Sequence, residues 1–127
     1  MRKIPAPAVN PENQPFFDAA ARGVLYLKFC TGCNAFHHYP RAICPFCASD
    51  RTEWRAAKGV GTVHTCSVLR RGVPEPYCIA YVTLDEGVSM LTNIVDCDLD
   101  AVKIGQKVKV VFKPTDGGAP VPMFTPA

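Results

Sequence analysis

The chain has 127 residues, a length that suits one domain or a small domain with a satellite, with room for one real core but not two. Apolar residues make up 48% of it, which argues against disorder, and 12 prolines with 9 glycines argue for turns and short strands over a helical bundle. The formal net charge is only +3, with short basic pairs at Arg2-Lys3 and Arg70-Arg71, a footprint too weak and scattered for a dedicated duplex-DNA binder.

Residues 1–29 read as a lead-in. Pro5, Pro7, Pro11 and Pro15 keep its first half extended. Phe16, Ala20 and Val24 then recur at i, i+4 and i+8, and Phe17 with Ala21 joins the same side. This predicts a short amphipathic helix opening at Pro15 and stopping at Gly23. Leu25, Leu27 and Phe29 alternate with Tyr26 and Lys28, a strand running into Cys30. The N-terminus shows no apolar run of signal-peptide length, and no segment approaches the roughly 20 apolar residues that span a bilayer. The expectation is a cytoplasmic protein with no membrane partner, where clustered thiols more often bind metal than form disulfides.

Residues 30–51 hold the cysteine cluster. Cys30-Thr31-Gly32-Cys33 and Cys44-Pro45-Phe46-Cys47 make the pattern C-x2-C-x10-C-x2-C. Two residues between cysteines let one tight turn aim both sulfurs at a single ion, and two such turns close a tetrahedral sphere around zinc. A closed sphere leaves no position for water or substrate, so the expected Zn2+ is structural, with Fe as the alternative for four thiolates. The metal also answers a folding problem, because a segment this short and rich in turn residues has no core of its own. Two redox-active pairs are the competing reading; a β context disfavours it. Lys28, Arg41 and Arg51 lie close in sequence to offset the thiolate charge. His37 and His38 read as solvated loop residues, since four sulfurs already suffice.

Residues 52–127 read as strands at 60–69, 77–84, 88–95, 107–113 and 121–124, separated by turn signals such as Asp85-Glu86-Gly87 and Asp116-Gly117-Gly118. In 77–84 both alternating faces are largely apolar, which predicts a strand covered on both sides. Asp98 can cap one helical turn between the third and fourth strands. Five strands with a helical insert after the third is the order of an OB-fold barrel. The fold class is therefore mainly β: a lead-in helix, a rubredoxin-like zinc ribbon and a five-stranded barrel. Cys66, Cys78 and Cys97 fall in or beside strands and read as small apolar residues. His64, in the first barrel strand, reads as a partly buried histidine, and Asp85-Glu86 as an exposed turn.

Taken together, an ordered set of short motifs resembles a known family. It runs through Phe16-Phe17 and Gly23, Leu25 to Cys33, Tyr39-Pro40-Arg41, Cys44-Pro45-Phe46-Cys47, Trp54 and Gly59-Val60-Gly61-Thr62-Val63. It continues through Leu84-Asp85-Glu86-Gly87-Val88, Leu91-Thr92-Asn93-Ile94-Val95-Asp96, Ile104-Gly105-Gln106-Lys107-Val108 and Phe124. The chain is similar over nearly its whole length to the acyl-CoA-associated OB-fold proteins with an N-terminal rubredoxin-like zinc ribbon, long catalogued as a domain of unknown function. The resemblance implies a subunit that is not an enzyme on its own. Its expected partner is a thiolase-like or lipid-transfer-type enzyme acting on acyl-CoA. It also carries the metal ligands over to Cys30, Cys33, Cys44 and Cys47. Family members often have Gly after each cysteine pair, where this chain has Asn34 and Ala48.

The residues themselves offer little catalytic machinery: no Gly-rich phosphate loop, no G-x-S-x-G and no H-E-x-x-H. For acyl-CoA, Trp54 is the candidate to stack on adenine, and Arg55, Lys58, Arg70 and Arg71 are the candidates to meet phosphates. Trp54 packing the ribbon against the barrel is the equal alternative. A single-stranded nucleic-acid-binding OB-fold is the competing function; Tyr77 and Tyr81 share a strand face with no Lys or Arg between them, which disfavours it.

Overall fold

A computed structural model describes residues 4–127; the Arg2-Lys3 pair lies outside the described residues. Helix α1 (Gln14–Ala21) begins at Asn13 with Pro15 in its first turn, where a missing N–H costs nothing. It ends in a Schellman motif: Val24 N–H donates to Ala19 C=O and Gly23 N–H to Ala20 C=O, with Gly23 at φ +77°. Phe16, Phe17, Ala19 and Ala20 are its buried face. Ala21, expected on that face, is exposed at the last position of the helix, and Ala19 is buried instead.

Strand β1 (Tyr26–Cys30) follows the helix and is central in a three-stranded antiparallel sheet, between β2 (Ala35–His37) and β3 (Thr52–Ala56). The ribbon sheet thus draws one strand from before residue 30 and one from beyond residue 51. Short strands β2 and β3 were not legible as strands, being three and five residues long with polar composition.

The barrel consists of β4 (Val60–Leu69), β5 (Tyr77–Leu84), β6 (Ser89–Ile94), β7 (Lys107–Lys113) and β8 (Val121–Pro126) in the closed order β4-β5-β6-β8-β7. These are the five predicted strands, and the order is that of an OB-fold. The close pairing of β4 with β5 needs Gly61: a Cβ there would sit 2.6 Å from the Thr83 carbonyl oxygen and 2.9 Å from Val82 Cγ1. A bulge between Val63 and Thr65 lets the long strand β4 bend around the barrel. The predicted helical insert is a single 3-10 turn, Leu99–Ala101, capped by the Asp98 carboxylate accepting from Asp100 N–H at 3.0 Å.

One core serves the whole chain. Phe16, Phe17, Leu25 and Leu27 from the helix and ribbon pack in the same cluster as Val63, Val82, Leu84, Ile94, Val108 and Phe124 from the barrel. Strand β5 departs from expectation. Its inward residues Cys78, Ala80, Val82 and Leu84 are buried, but Tyr81 on the other face is 47% exposed, because no described element packs on that wall. Among the described residues, no helix is long and apolar enough to cross a membrane.

Candidate metal centre

The two cysteine pairs sit on two turns of the same design. Cys30 ends β1, and Asn34 N–H donates back to the Cys30 carbonyl at 2.7 Å. Cys44 opens the second turn, and Ala48 N–H donates to the Cys44 carbonyl at 2.9 Å. Each turn closes with a residue in the left-handed region, Asn34 at φ +58° and Ala48 at φ +61°. The departures from the family's glycines therefore keep the glycine geometry. Asn adopts it readily, while Ala48 bears a steric cost of about 1 kcal/mol.

The turns bring all four sulfurs within 4.8 Å of one another. Cys30 Sγ lies 3.6 Å from Cys47 Sγ, and Cys33 Sγ lies 3.7 Å from Cys44 Sγ. Zinc–sulfur bonds of about 2.3 Å in a tetrahedron put sulfurs roughly 3.8 Å apart, so the cluster has the size of a closed four-thiolate site. Phe46 N–H also donates to Cys44 Sγ at 3.4 Å, the kind of backbone contact that supports a thiolate.

The thiols cannot share this space as four anions unaided. Burial pushes the Cys30 thiol up, but hydrogen bonds from the Cys33 and Gly32 backbone and contact with Cys47 outweigh it and hold it at about 7. Cys33 is pushed up to about 12, by desolvation and then by the sulfurs of Cys47, Cys44 and Cys30. One thiolate forms easily; the last forms only when a cation compensates it. The donor set thus fits a structural metal site, with metal binding coupled to proton release.

Two of the three basic residues expected to offset this charge, Lys28 and Arg41, are engaged elsewhere. Lys28 Nζ lies 4.5 Å from the centroid of the Trp54 ring, and Arg41 faces Glu12 at 3.9 Å. The two histidines are not solvated loop residues. His37 is buried in β2, and its Nε2 accepts from Arg41 N–H at 3.2 Å. His38 packs against Phe16 with ring centroids 5.6 Å apart. Both lie between ribbon and helix, a burial decided by α1 folding back over residues 37–40. Asn13, which no sequence motif singles out, bridges the same contact: its Nδ2 donates to Tyr39 Oη at 2.8 Å and to the Ala8 carbonyl at 3.2 Å. His64 also departs from expectation and is exposed, because the bulge in β4 turns it out of the wall.

The five residues considered for acyl-CoA do not converge. Trp54 faces Tyr26 across the ribbon sheet, rings stacked at 5.9 Å, and packs against the core. Arg55 points to the other face, with Cζ 3.7 Å from the Phe29 ring centroid. Lys58 precedes β4 and gives its N–H to Glu86 at 3.0 Å. Arg70 and Arg71 lie past the far end of β4, about 30 Å of extended strand away, where Arg70 pairs with Asp100.

Comparison with known proteins matches the chain in two consecutive blocks. Residues 17–53 match the family described as ChsH2, rubredoxin-like zinc ribbon domain, and residues 54–113 match ChsH2, C-terminal OB-fold domain. The chain is 36% identical over 90 residues to a DUF35 domain-containing scaffold protein of Methanothermobacter thermautotrophicus, covering 66% of this chain and 68% of that one. It is 32% identical over 127 residues to a probable enoyl-CoA hydratase alpha subunit of Thermomonospora curvata, but spans only 40% of that protein's length. Among solved structures, one described as an Ltp2-ChsH2(DUF35) aldolase superposes with a TM-score of 0.81 at 31% identity, over 94% of this chain and 98% of that chain. A DUF35 protein of unknown function from Sulfolobus solfataricus shares the fold, with a TM-score of 0.63 at 18% identity over 81% of this chain and 79% of that one.

Proposed function

The chain belongs to the DUF35 family, in its ChsH2 form of a rubredoxin-like zinc ribbon joined to an OB-fold, and from that premise we propose that it is a non-catalytic, scaffold-type subunit of an enzyme acting on acyl-CoA thioesters. The observation that carries this reading is the near end-to-end likeness to a chain of the structure described as an Ltp2-ChsH2(DUF35) aldolase. In this reading Cys30, Cys33, Cys44 and Cys47 hold zinc. The metal's role is mechanical: it fixes the ribbon, and through the shared core it fixes the ribbon's orientation on the barrel. The partner is a thiolase-like or lipid-transfer-type enzyme, and this chain contributes to acyl-CoA binding within the complex. Arg55, Lys58 and Arg71 then act as separate contacts at different places, not as one phosphate cradle.

The wall formed by β4, β5 and β6 supports a protein partner over a nucleic acid. Its outward residues include Thr65, Ser67 and Leu69, then Ile79, Tyr81 and Thr83, then Ser89, Leu91 and Asn93; none is charged. This is the face with which OB-folds take oligonucleotides, and such binding needs basic residues among the aromatics. Tyr81 and Leu91 face each other across β5 and β6 at 47% and 55% exposure, an apolar centre suited to a neutral protein surface.

The test is co-expression with a thiolase-like or lipid-transfer-type acyl-CoA enzyme of the same organism. The expected result is stoichiometric co-purification, with loss of the enzyme's solubility or turnover when this chain is omitted. An enzyme fully active and stable alone would overturn the proposal.

A further inference from the structure

At the end of the barrel where β6 gives way to the 3-10 turn, a cavity of about 230 Å3 is lined by Ile4, Tyr77, Ile94, Leu99, Met123 and Lys113. It exists because a single 3-10 turn covers less of a barrel end than a full helix would. The N-terminal segment supplies part of the remaining cover: Asp116 N–H donates to the Ile4 carbonyl at 2.8 Å, which lays Ile4 over the opening. The lining is apolar apart from one ion pair at the mouth. Lys113 Nζ lies 2.6 Å from an Asp96 carboxylate oxygen. The pair is oriented, with the Asp96 side chain 51% exposed and the Lys113 side chain only 17% exposed. Both residues line the cavity, with the Lys113 side chain the more deeply buried of the two. An ammonium has three donors, and Asp96 engages one side of it.

An apolar hollow with a cation at its rim selects a ligand with an apolar tail and an oxygen acceptor at one end. A space of about 230 Å3 is of the size that takes an aliphatic chain, not a bulky ring system. We propose that this cavity is the slot for a medium-chain acyl group, with the acyl carbonyl oxygen at the mouth accepting from Lys113. The slot deepens the acyl-CoA reading above and rests on it for the source of the ligand, since a thioester and a free carboxylate offer the same tail and oxygen. The adenine and phosphates of CoA would lie outside the barrel end.

Calorimetric titration of the full, metal-loaded chain with acetyl-CoA, octanoyl-CoA and octanoate tests this. Octanoyl-CoA is expected to bind at least tenfold more tightly than acetyl-CoA. Leu99→Trp, which fills the hollow from the exposed 3-10 turn, should erase that preference, and Lys113→Met should weaken octanoyl-CoA and octanoate alike. Far-UV dichroism and metal content identify any variant that fails to fold. Binding of octanoate but not octanoyl-CoA would support the slot with a free carboxylate as its occupant. Equal affinity for acetyl and octanoyl thioesters, an unchanged preference in Leu99→Trp, or no binding of either eight-carbon ligand would overturn it. A chain that sustains its partner enzyme yet shows no chain-length preference sinks the slot alone. A chain with the preference but no effect on an acyl-CoA enzyme sinks the subunit reading alone.

Discussion

Ala48 holds a backbone conformation that glycine adopts freely, and the reason is the metal turn it closes. Replacing it with Gly relieves the Cβ clash but adds unfolded-state entropy. The net expectation for Ala48→Gly is a gain of about 0.5 kcal/mol, read from urea unfolding of the metal-loaded protein. His38 carries a pH signature. Burial, reinforced by neighbouring His37, lowers it from 6.5 to about 4. The folded state therefore keeps His38 neutral where the unfolded chain would protonate it. The stability this provides is complete above pH 6.5 and drains away as pH falls toward 4. Between pH 7 and pH 5 the loss is about 2 kcal/mol. His38→Gln should flatten that part of the pH–stability curve at saturating metal, and an unchanged slope would show that His38 does not sit buried and neutral. The two cysteine turns were legible, because the spacing of each pair is local. The fate of His37 and His38 was not, because it depends on a helix whose first residue lies more than twenty positions upstream.

At the level of elements, the barrel strands announced themselves through alternation and turn residues, while β2 and β3 did not. Three residues are too few to show a period, and Thr52–Ala56 is polar because only one of its faces touches anything. Gly61 illustrates what the close approach of β4 to β5 demands of one residue. Any side chain there meets the Thr83 carbonyl, which is backbone and cannot swing away. Gly61→Ala is expected to destabilise by about 2 kcal/mol through overpacking, measured as a lowered denaturation midpoint with unchanged metal content. The strand predicted at 121–124 runs over residues 121–126 and completes the barrel by pairing with β7, with Phe124 wholly buried.

On the scale of the whole molecule, the ribbon and barrel are joined by a common core, yet only the ribbon needs the metal. Its sheet is small and its turn segment, residues 31–51, contributes almost nothing to the apolar cluster. The single tryptophan, Trp54, lies on that sheet against Tyr26 and packs on the core, so its emission reports the ribbon and its seating on the barrel. Chelation should shift Trp54 emission to the red while the barrel's β dichroism persists, and a simultaneous loss of both would show that the two parts fold as one cooperative unit. The sequence by itself determined the metal motif, the five barrel strands, their order and the family resemblance, because each rests on spacing or alternation within a few residues. Only the tertiary structure decided that Lys28 and Arg41 are engaged with Trp54 and Glu12, that the CoA candidates are scattered, that one barrel wall stays bare and uncharged, and that the barrel end is hollow. Those outcomes depend on which distant residue arrives opposite which, and neither spacing nor composition carries that information.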